Sequence, residues 1–195
     1  MAKLVYTMLA SLDGYVADER GEFGWAEPDE EVHRFVNGLE RHVGTYLFGR
    51  RMYEVMAAWD DPAAFAAAPA YIREFGELWR AADKIVYSTT LEDVRTRRTR
   101  IERDFDPDAV RRLKEAAKDD LSIGGPHLAG QALRARLVDE LGLLAVPVVV
   151  GGGTPWLPPG VRLRLDPLEE RRFASGIVYL RYGVRGPLDR PLRGE

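Results

Sequence analysis

Apolar and polar positions change rhythm repeatedly along the chain, and each change marks an element. Leu4 to Ala10 is rich in apolar and β-favouring side chains, which predicts a buried strand. The stretch DGYVADERGEFGW after it reads as a loop. From Pro28 the spacing turns helical: Val32, Phe35, Val36, Leu39 and Val43 share one face, and Asp29, Glu30 and Glu31 occupy the first turn, where the helix dipole favours anions. TYLFG predicts a second strand closed by Gly49, and RRMYEVMAAW a short helix. Pro69 to Ala82 is helical, with Ile72, Phe75, Leu78 and Trp79 on one side. Lys84 to Ser88 reads as a third strand, and Arg100 to Arg103 as a weaker one. Asp106 is a natural N-cap, Pro107 suits the first helical position, and Val110, Leu113 and Ala117 form the inner face. DLSIGG is another strand, and Pro126 to Ala135 the helix after it. LVDELGLLAVPVVV predicts a strand whose second half is covered on both faces. The end alternates, VRLRLDPLE then RRFASGIVYLRYGV, with a turn at Ser175-Gly176: an antiparallel hairpin with one wet face.

Strands alternating with helices imply an α/β protein in three layers, α/β/α, around a mostly parallel sheet with helices on both faces. The hairpin makes that sheet mixed. No repeat or linker divides the chain, so one domain is expected over residues 1–185, with a tail at 186–195. A chain of 195 residues, 46% hydrophobic and 30% charged, has enough apolar material for a core without covalent staples. The net charge of −3 favours neither nucleic acid nor acidic membranes. VRTRRTRIERD is a local exception, read as a solvated loop and edge strand. Cysteine is absent, which excludes disulfides, zinc thiolates, iron–sulfur clusters and a cysteine nucleophile, and fits a cytoplasmic protein. MAKLVYTMLASLDG lacks a cleavage site and reads as a strand, not a signal peptide. LGLLAVPVVVGGG is too short to span a bilayer, so a soluble protein is expected.

In parallel sheets ligands sit beyond the carboxyl ends of the strands. Gly124 and Gly125 fall there, where a helix begins. They are either a tight strand-to-helix turn or a place where a pyrophosphate approaches backbone N–H groups without a Cβ in the way. Gly49-Arg50-Arg51 and Ser88-Thr89-Thr90 close neighbouring strands, and their guanidinium and hydroxyl groups suit an additional phosphate. There is no G-x-G-x-x-G after the first strand, VVVGGGTPW lacks the P-loop lysine, and no G-x-S-x-G elbow is present. Asp13 is the candidate proton donor, set against an Asp-Gly turn. Tyr15 and Trp25 could stack on a heterocycle or pack beneath the first loop, and Trp59 is a further lining candidate. His33 and His42 lie nine apart on opposite helix faces, and His127 reads as an exposed helix-start residue, so no metal site is expected.

SLDGYVA, GRRMYE, DKIVYSTT, SIGGPHLAGQAL and LVDELGLLAVPVVVGGGTPW stand in the order seen in the dihydrofolate reductase-like superfamily. Within it, the chain most resembles the reductase domain of the bifunctional riboflavin-biosynthesis deaminase–reductase and its stand-alone bacterial relatives, from Leu4 to about Val184. The resemblance implies a mixed, mostly parallel sheet and an NADPH-dependent reductase of a small heterocyclic or carbonyl substrate. A dinucleotide-binding protein without turnover is the alternative. It implies that Leu9 and Ala10 border the nicotinamide with Val16 close by, and that Gly49, Arg50 and Arg51 with Ser88 and Thr89 face the adenosine phosphates. Gly124, Gly125, Pro126 and Leu128 are then the pyrophosphate cradle. Met52 departs from the threonine common in dihydrofolate reductases. Those enzymes also carry a carboxylate on the first long helix, whereas first-turn acids here suit the dipole, so folate is not the leading substrate. Relatives of this kind are often homodimers.

Overall fold

Period-two alternation places the side chains of each central strand on two different cores. On β3 (Val43–Gly49), Tyr46 and Phe48 enter one apolar cluster while Leu47 enters another. The computed structural model describes residues 1–188. Strands β1 (Leu4–Ser11), β3, β4 (Asp83–Tyr87), β5 (Thr99–Glu102), β6 (Asp120–Gly124) and β7 (Glu140–Val146) run parallel. β9 (Leu163–Arg172) and β10 (Val178–Pro187) complete the sheet as an antiparallel hairpin. The order is β5-β4-β3-β6-β1-β7-β10-β9. Helices α1 (Glu30–Glu40), α2 (Arg50–Met56) and α3 (Ala70–Ala81) cover one face. There Val32, Tyr53, Phe75 and Trp79 pack on Tyr46, Phe48, Leu144 and Tyr179. Helices α4 (Pro107–Ala116) and α5 (Pro126–Arg134) cover the other, where Val110, Leu128 and Leu133 meet Leu4, Tyr6, Leu47 and Ile123. This is the three-layer α/β/α arrangement around a mixed, mostly parallel sheet that the element order predicts.

Capping chemistry sets the boundaries. Asp106 accepts the N–H of Asp108, with Pro107 in the first turn of α4. Asp29 accepts the N–H of Val32 at 2.9 Å, so α1 starts at Glu30 and not at Pro28, and Val43 belongs to β3. Pro147 has no N–H for the ladder, and β7 ends before it. The apolar run beyond is therefore loop, not a doubly covered strand, and Val149 is 70% exposed. Gly176, at φ +87°, makes the hairpin turn.

The loop after β1 carries structure its composition did not announce. β2 (Tyr15–Ala17) pairs with β8 (Thr154–Pro155), tying DGYVA to GGGTPW. Gly153 has φ +132°, and a Cβ there would collide with the Ala17 carbonyl. At the other end of the chain, β10 runs to Pro187, two residues beyond the expected domain end, and residues 189–195 of the expected tail lie outside the described residues. No helix among the described residues is long and apolar enough to cross a membrane.

Candidate active site

β1 outruns its neighbour. It pairs with β6 at Leu4↔Leu121 and Val5↔Ser122, which sets Gly124, the last residue of β6, level with Thr7. β1 continues along β7 to Ser11↔Val146. Its last four residues thus extend about 13 Å past the end of β6 at about 3.3 Å per residue. The step leaves a cleft between the β1 edge and the segments leaving β3 and β6. Ala10 is fully buried on this overhang and Leu9 half-buried, while Val16 is half-buried on β2 beside it.

Two helices start side by side below the step. Phe48↔Gly124 are register partners, so Gly49 and Gly125, the N-caps of α2 and α5, are neighbours. Neither start has a side-chain cap or an acidic first turn, unlike α1 and α4; the start of α3, at Pro69, is also uncapped. On α5 this leaves first-turn N–H groups and the positive dipole end available to an anion. Pro126 contributes no N–H, so the donors are those of His127 and Leu128; the Ala129 N–H already bonds Gly125. Leu128 is 3% exposed, so its side chain belongs to the core.

The paired glycines do different things. A Cβ on Gly124 would lie 2.7 Å from the Phe48 ring, so this glycine admits close packing between β6 and β3. Gly125 has φ +91°, and a Cβ there would stand 3.5 Å from Met52 Cβ, an ordinary contact. Its requirement is conformational. Met52, the departure from the threonine common in dihydrofolate reductases, lies over both.

The next strand ends form one bonded surface. Arg50 donates from Nε to Glu54 at 2.8 Å and from Nη1 to Thr90 at 3.0 Å. Arg51 and Thr89 are exposed beside it. The Ser88 hydroxyl is buried and accepts the N–H groups of Thr90 and Leu91, so it braces the loop and does not face solvent. Sequence reasoning missed Thr90 as the Arg50 partner, and it missed Arg103, whose guanidinium reaches back to this loop. The hydroxyl of Thr90 was visible in the STT triplet; the pairing was not.

Asp13 is a clamp. Its carboxylate accepts the N–H of Gly151 at 2.8 Å and of Val150 at 3.2 Å, joining the loop after β1 to the loop after β7. The Ser11 hydroxyl and these N–H groups hold its pKa below the usual carboxylate value, which keeps it ionised at neutral pH and opposes its giving up a proton. Tyr15 lies half-buried on β2 next to this clamp, and Ser11 Oγ accepts its N–H. Trp25 packs with Leu9, Val32 and Phe35 on the α1 side of the cleft. Trp59 stacks on Phe65 at 4.4 Å and meets Phe75 edge-on, within the α3 cluster and apart from Trp25. His33 sits in the same aromatic box, against Tyr71 and Phe75, and burial lowers its pKa. The acids opening α1 are engaged: Asp29 caps, Glu30 pairs with Arg34, and Glu31 holds Arg171 and the Ala174 N–H of the hairpin turn. Among the described residues no three His, Cys, Asp or Glu side chains gather as a metal site. Two surface recesses, of about 740 and 490 Å3, lie elsewhere, under Arg136 and Arg162 and between Glu40 and Asp119. Neither includes a residue at the carboxyl end of a parallel strand, where the uncapped α5 start and Arg50 lie.

A mixed sheet of this order, with uncapped helix starts at the carboxyl ends of its parallel strands, defines a protein of the dihydrofolate reductase-like class. The chain belongs to the RibD C-terminal domain family, which it matches over residues 2–179. It is 26% identical to "Uncharacterized protein YyaP" of Bacillus subtilis, over 94% of this chain and 96% of the relative. Among solved structures, a "Putative riboflavin biosynthesis protein" from Shewanella sp. superposes with a TM-score of 0.73 at 22% identity, covering 95% of this chain and 100% of that one. The diaminohydroxyphosphoribosylaminopyrimidine deaminase/5-amino-6-(5-phosphoribosylamino)uracil reductase of Thermotoga maritima gives 0.65 at 15% identity, over 94% of this chain and 56% of the longer protein. Dihydrofolate reductase from Enterococcus faecalis, solved with NADP(H) and RAB-propyl, gives 0.61 at 12% identity, over 94% and 97%.

Proposed function

We propose that this chain is a reductase that uses a nicotinamide dinucleotide, with NADPH as its cofactor and a small heterocyclic or carbonyl compound as its substrate. One observation carries the reading: the uncapped α5 start at Gly125 lies beside Arg50, under the step left by β1. Relatives of the same fold bear the names of reductases, and one of them holds NADP(H).

When bound, the dihydronicotinamide supplies the hydride; position and environment fall to the chain. The His127 and Leu128 N–H groups face the pyrophosphate, which Gly125 lets approach the backbone. Arg50, Arg51 and Thr89 face the adenosine phosphates, and their charge favours NADPH over NADH. Leu9 and Val16 offer the nicotinamide an apolar, water-poor bed, whereas Ala10 is fully buried in the sheet and presents no surface to it. Trp25 and Tyr15 flank the substrate on the α1 side, with Trp59 further out. Asp13 holds the loop and is not the acid. Burial pushes Glu40 up to about 7 against a Tyr46 hydroxyl that donates to it, but Glu40 lies at the α1 C-terminus, away from the strand ends. The proton therefore comes from solvent water entering the cleft. A ribitylaminopyrimidine or a pteridine fits a flat, aromatic-flanked site of this kind.

The test is a titration with NADPH and NADH that follows tryptophan fluorescence. NADPH binding at micromolar levels, weakened at least about tenfold in R50A, supports the reading. No response to either dinucleotide removes it. A dinucleotide-binding protein without turnover is the second reading, favoured by the engagement of Asp13 as a clamp. NADPH oxidation with a pteridine or a ribitylaminopyrimidine excludes that one.

A further inference from the structure

Most arginines of the run before β6 are held by acids: Arg97 by Asp60, Arg98 by Asp83 and Arg100 by Glu102. Arg103, just past β5, behaves differently. Its Nη1 turns back over the strand ends and donates to two carbonyls, those of Ser88 at 3.0 Å and Leu91 at 2.6 Å. The loop it grips is braced from within. Ser88 Oγ accepts the N–H groups of Thr90 at 3.2 Å and Leu91 at 2.9 Å, and the Ser88 N–H bonds the Glu102 carbonyl. The braced loop presents Thr90, whose Oγ1 accepts Arg50 Nη1. Arg50 Nε is held by Glu54. A continuous path of hydrogen bonds therefore runs from the end of β5, through the loop after β4, to the guanidinium that opens α2. Two nitrogens of that guanidinium, Nε and Nη1, are held, and Nη2 carries none of these bonds.

We propose that Arg103 is a positioning residue for dinucleotide choice. By clamping the Ser88–Leu91 turn it fixes Thr90, and through Thr90 it aims Arg50 at the additional phosphate that separates NADPH from NADH. The inference rests on the dinucleotide reading of the cleft and adds a residue that touches neither ligand nor reacting atoms. The physical basis is restraint in advance. A long exposed arginine loses rotamer freedom when it grips a phosphate, and a planar guanidinium already held at two of its nitrogens loses less. The benefit goes to the dinucleotide bearing the additional phosphate, because the adenosine of NADH offers Arg50 only a neutral hydroxyl there.

The experiment measures dissociation constants for NADPH and NADH in the wild type, R103A, R103K and T90V, with a melting curve for each. R103A and T90V are expected to weaken NADPH about tenfold, the worth of one good charge-assisted hydrogen bond, and NADH less than about twofold. R103K is expected to recover part of the loss, because an ammonium can still donate to the loop carbonyls. A merely structural Arg103 would weaken both dinucleotides together or lower only the melting temperature. If R103A does not fold, T90V decides, since it cuts the path while leaving the clamp in place. A wild-type preference for NADPH that survives in T90V and in a folded R103A overturns this proposal alone. Wild-type protein that binds neither dinucleotide overturns the reading of the cleft, and this proposal with it.

Discussion

Gly124→Ala tests the account of the paired glycines most directly. The added methyl would lie 2.7 and 2.8 Å from two carbons of the Phe48 ring and 3.1 Å from Met52 Cγ. Met52 is half-buried and flexible and can move aside. Phe48 cannot: it is 2% exposed, and its ring stacks on Tyr46 with 5.3 Å between centroids and 10° between planes. Overpacking of a well-filled core costs about 1–3 kcal/mol, so about 2 kcal/mol is expected here. For a chain of this length that is a fall in Tm of about 4–8 °C. Gly125→Ala destabilises by a different route, because an L-residue at φ +91° is strained by about 1–3 kcal/mol whatever the space around it. The two routes separate in a double-mutant cycle with F48L, measured by urea and thermal unfolding. F48L makes room and should offset at least about 1 kcal/mol of the Gly124→Ala loss, while leaving the Gly125→Ala loss unchanged. A Gly124→Ala protein melting within about 1 °C of wild type, or equal rescue of both variants by F48L, would refute the assignment of packing to one glycine and conformation to the other.

Other perturbations read single features. Asp13→Asn keeps one acceptor oxygen where two N–H groups are held, so hydrogen exchange at Val150 and Gly151 should quicken, whereas any pH–rate profile should keep both limbs; loss of a limb would make Asp13 the acid after all. The folded pKa of Asp13 lies below its unfolded value, so its contribution to stability is present above the unfolded pKa and is lost as pH falls through the folded one. His33 is a base whose pKa burial depresses, so the unfolded chain takes up its proton first and stability falls as pH drops from about 7 to 5. His33→Phe fills the same aromatic box without titrating; the urea midpoint of the wild type should fall more between pH 7.5 and 5.5 than that of the variant, and equal falls would remove His33 as a source of acid sensitivity.

Element order, the α4 cap at Asp106, the α5 start at Pro126 and the turn at Gly176 were all legible because each depends on residues within one or two helical turns. So were the two glycines at a strand end, with arginines and hydroxyls closing the neighbouring strands. Family likeness added the candidate roles of Leu9, Ala10 and Val16, which periodicity alone does not single out. The three-residue β2 and two-residue β8 were not legible, since strands that short carry no alternation, and their pairing joins segments at opposite ends of the chain. Register decided the rest. The overhang of β1 beyond β6 follows from which residues pair, and the pairing of Leu4 with Leu121 spans most of the chain. The Asp13 clamp closes over 138 residues, and the contacts of Arg50 with Thr90 and Arg103 with Ser88 span 40 and 15. Local sequence determined which segments could be strand or helix, because propensity, capping and amphipathic period act over a few residues. Only the packed sheet decided that Asp13 is a loop clamp, that Ser88 is a brace and that Arg103 reaches the loop after β4, because hydrogen-bond partners are chosen by proximity in space.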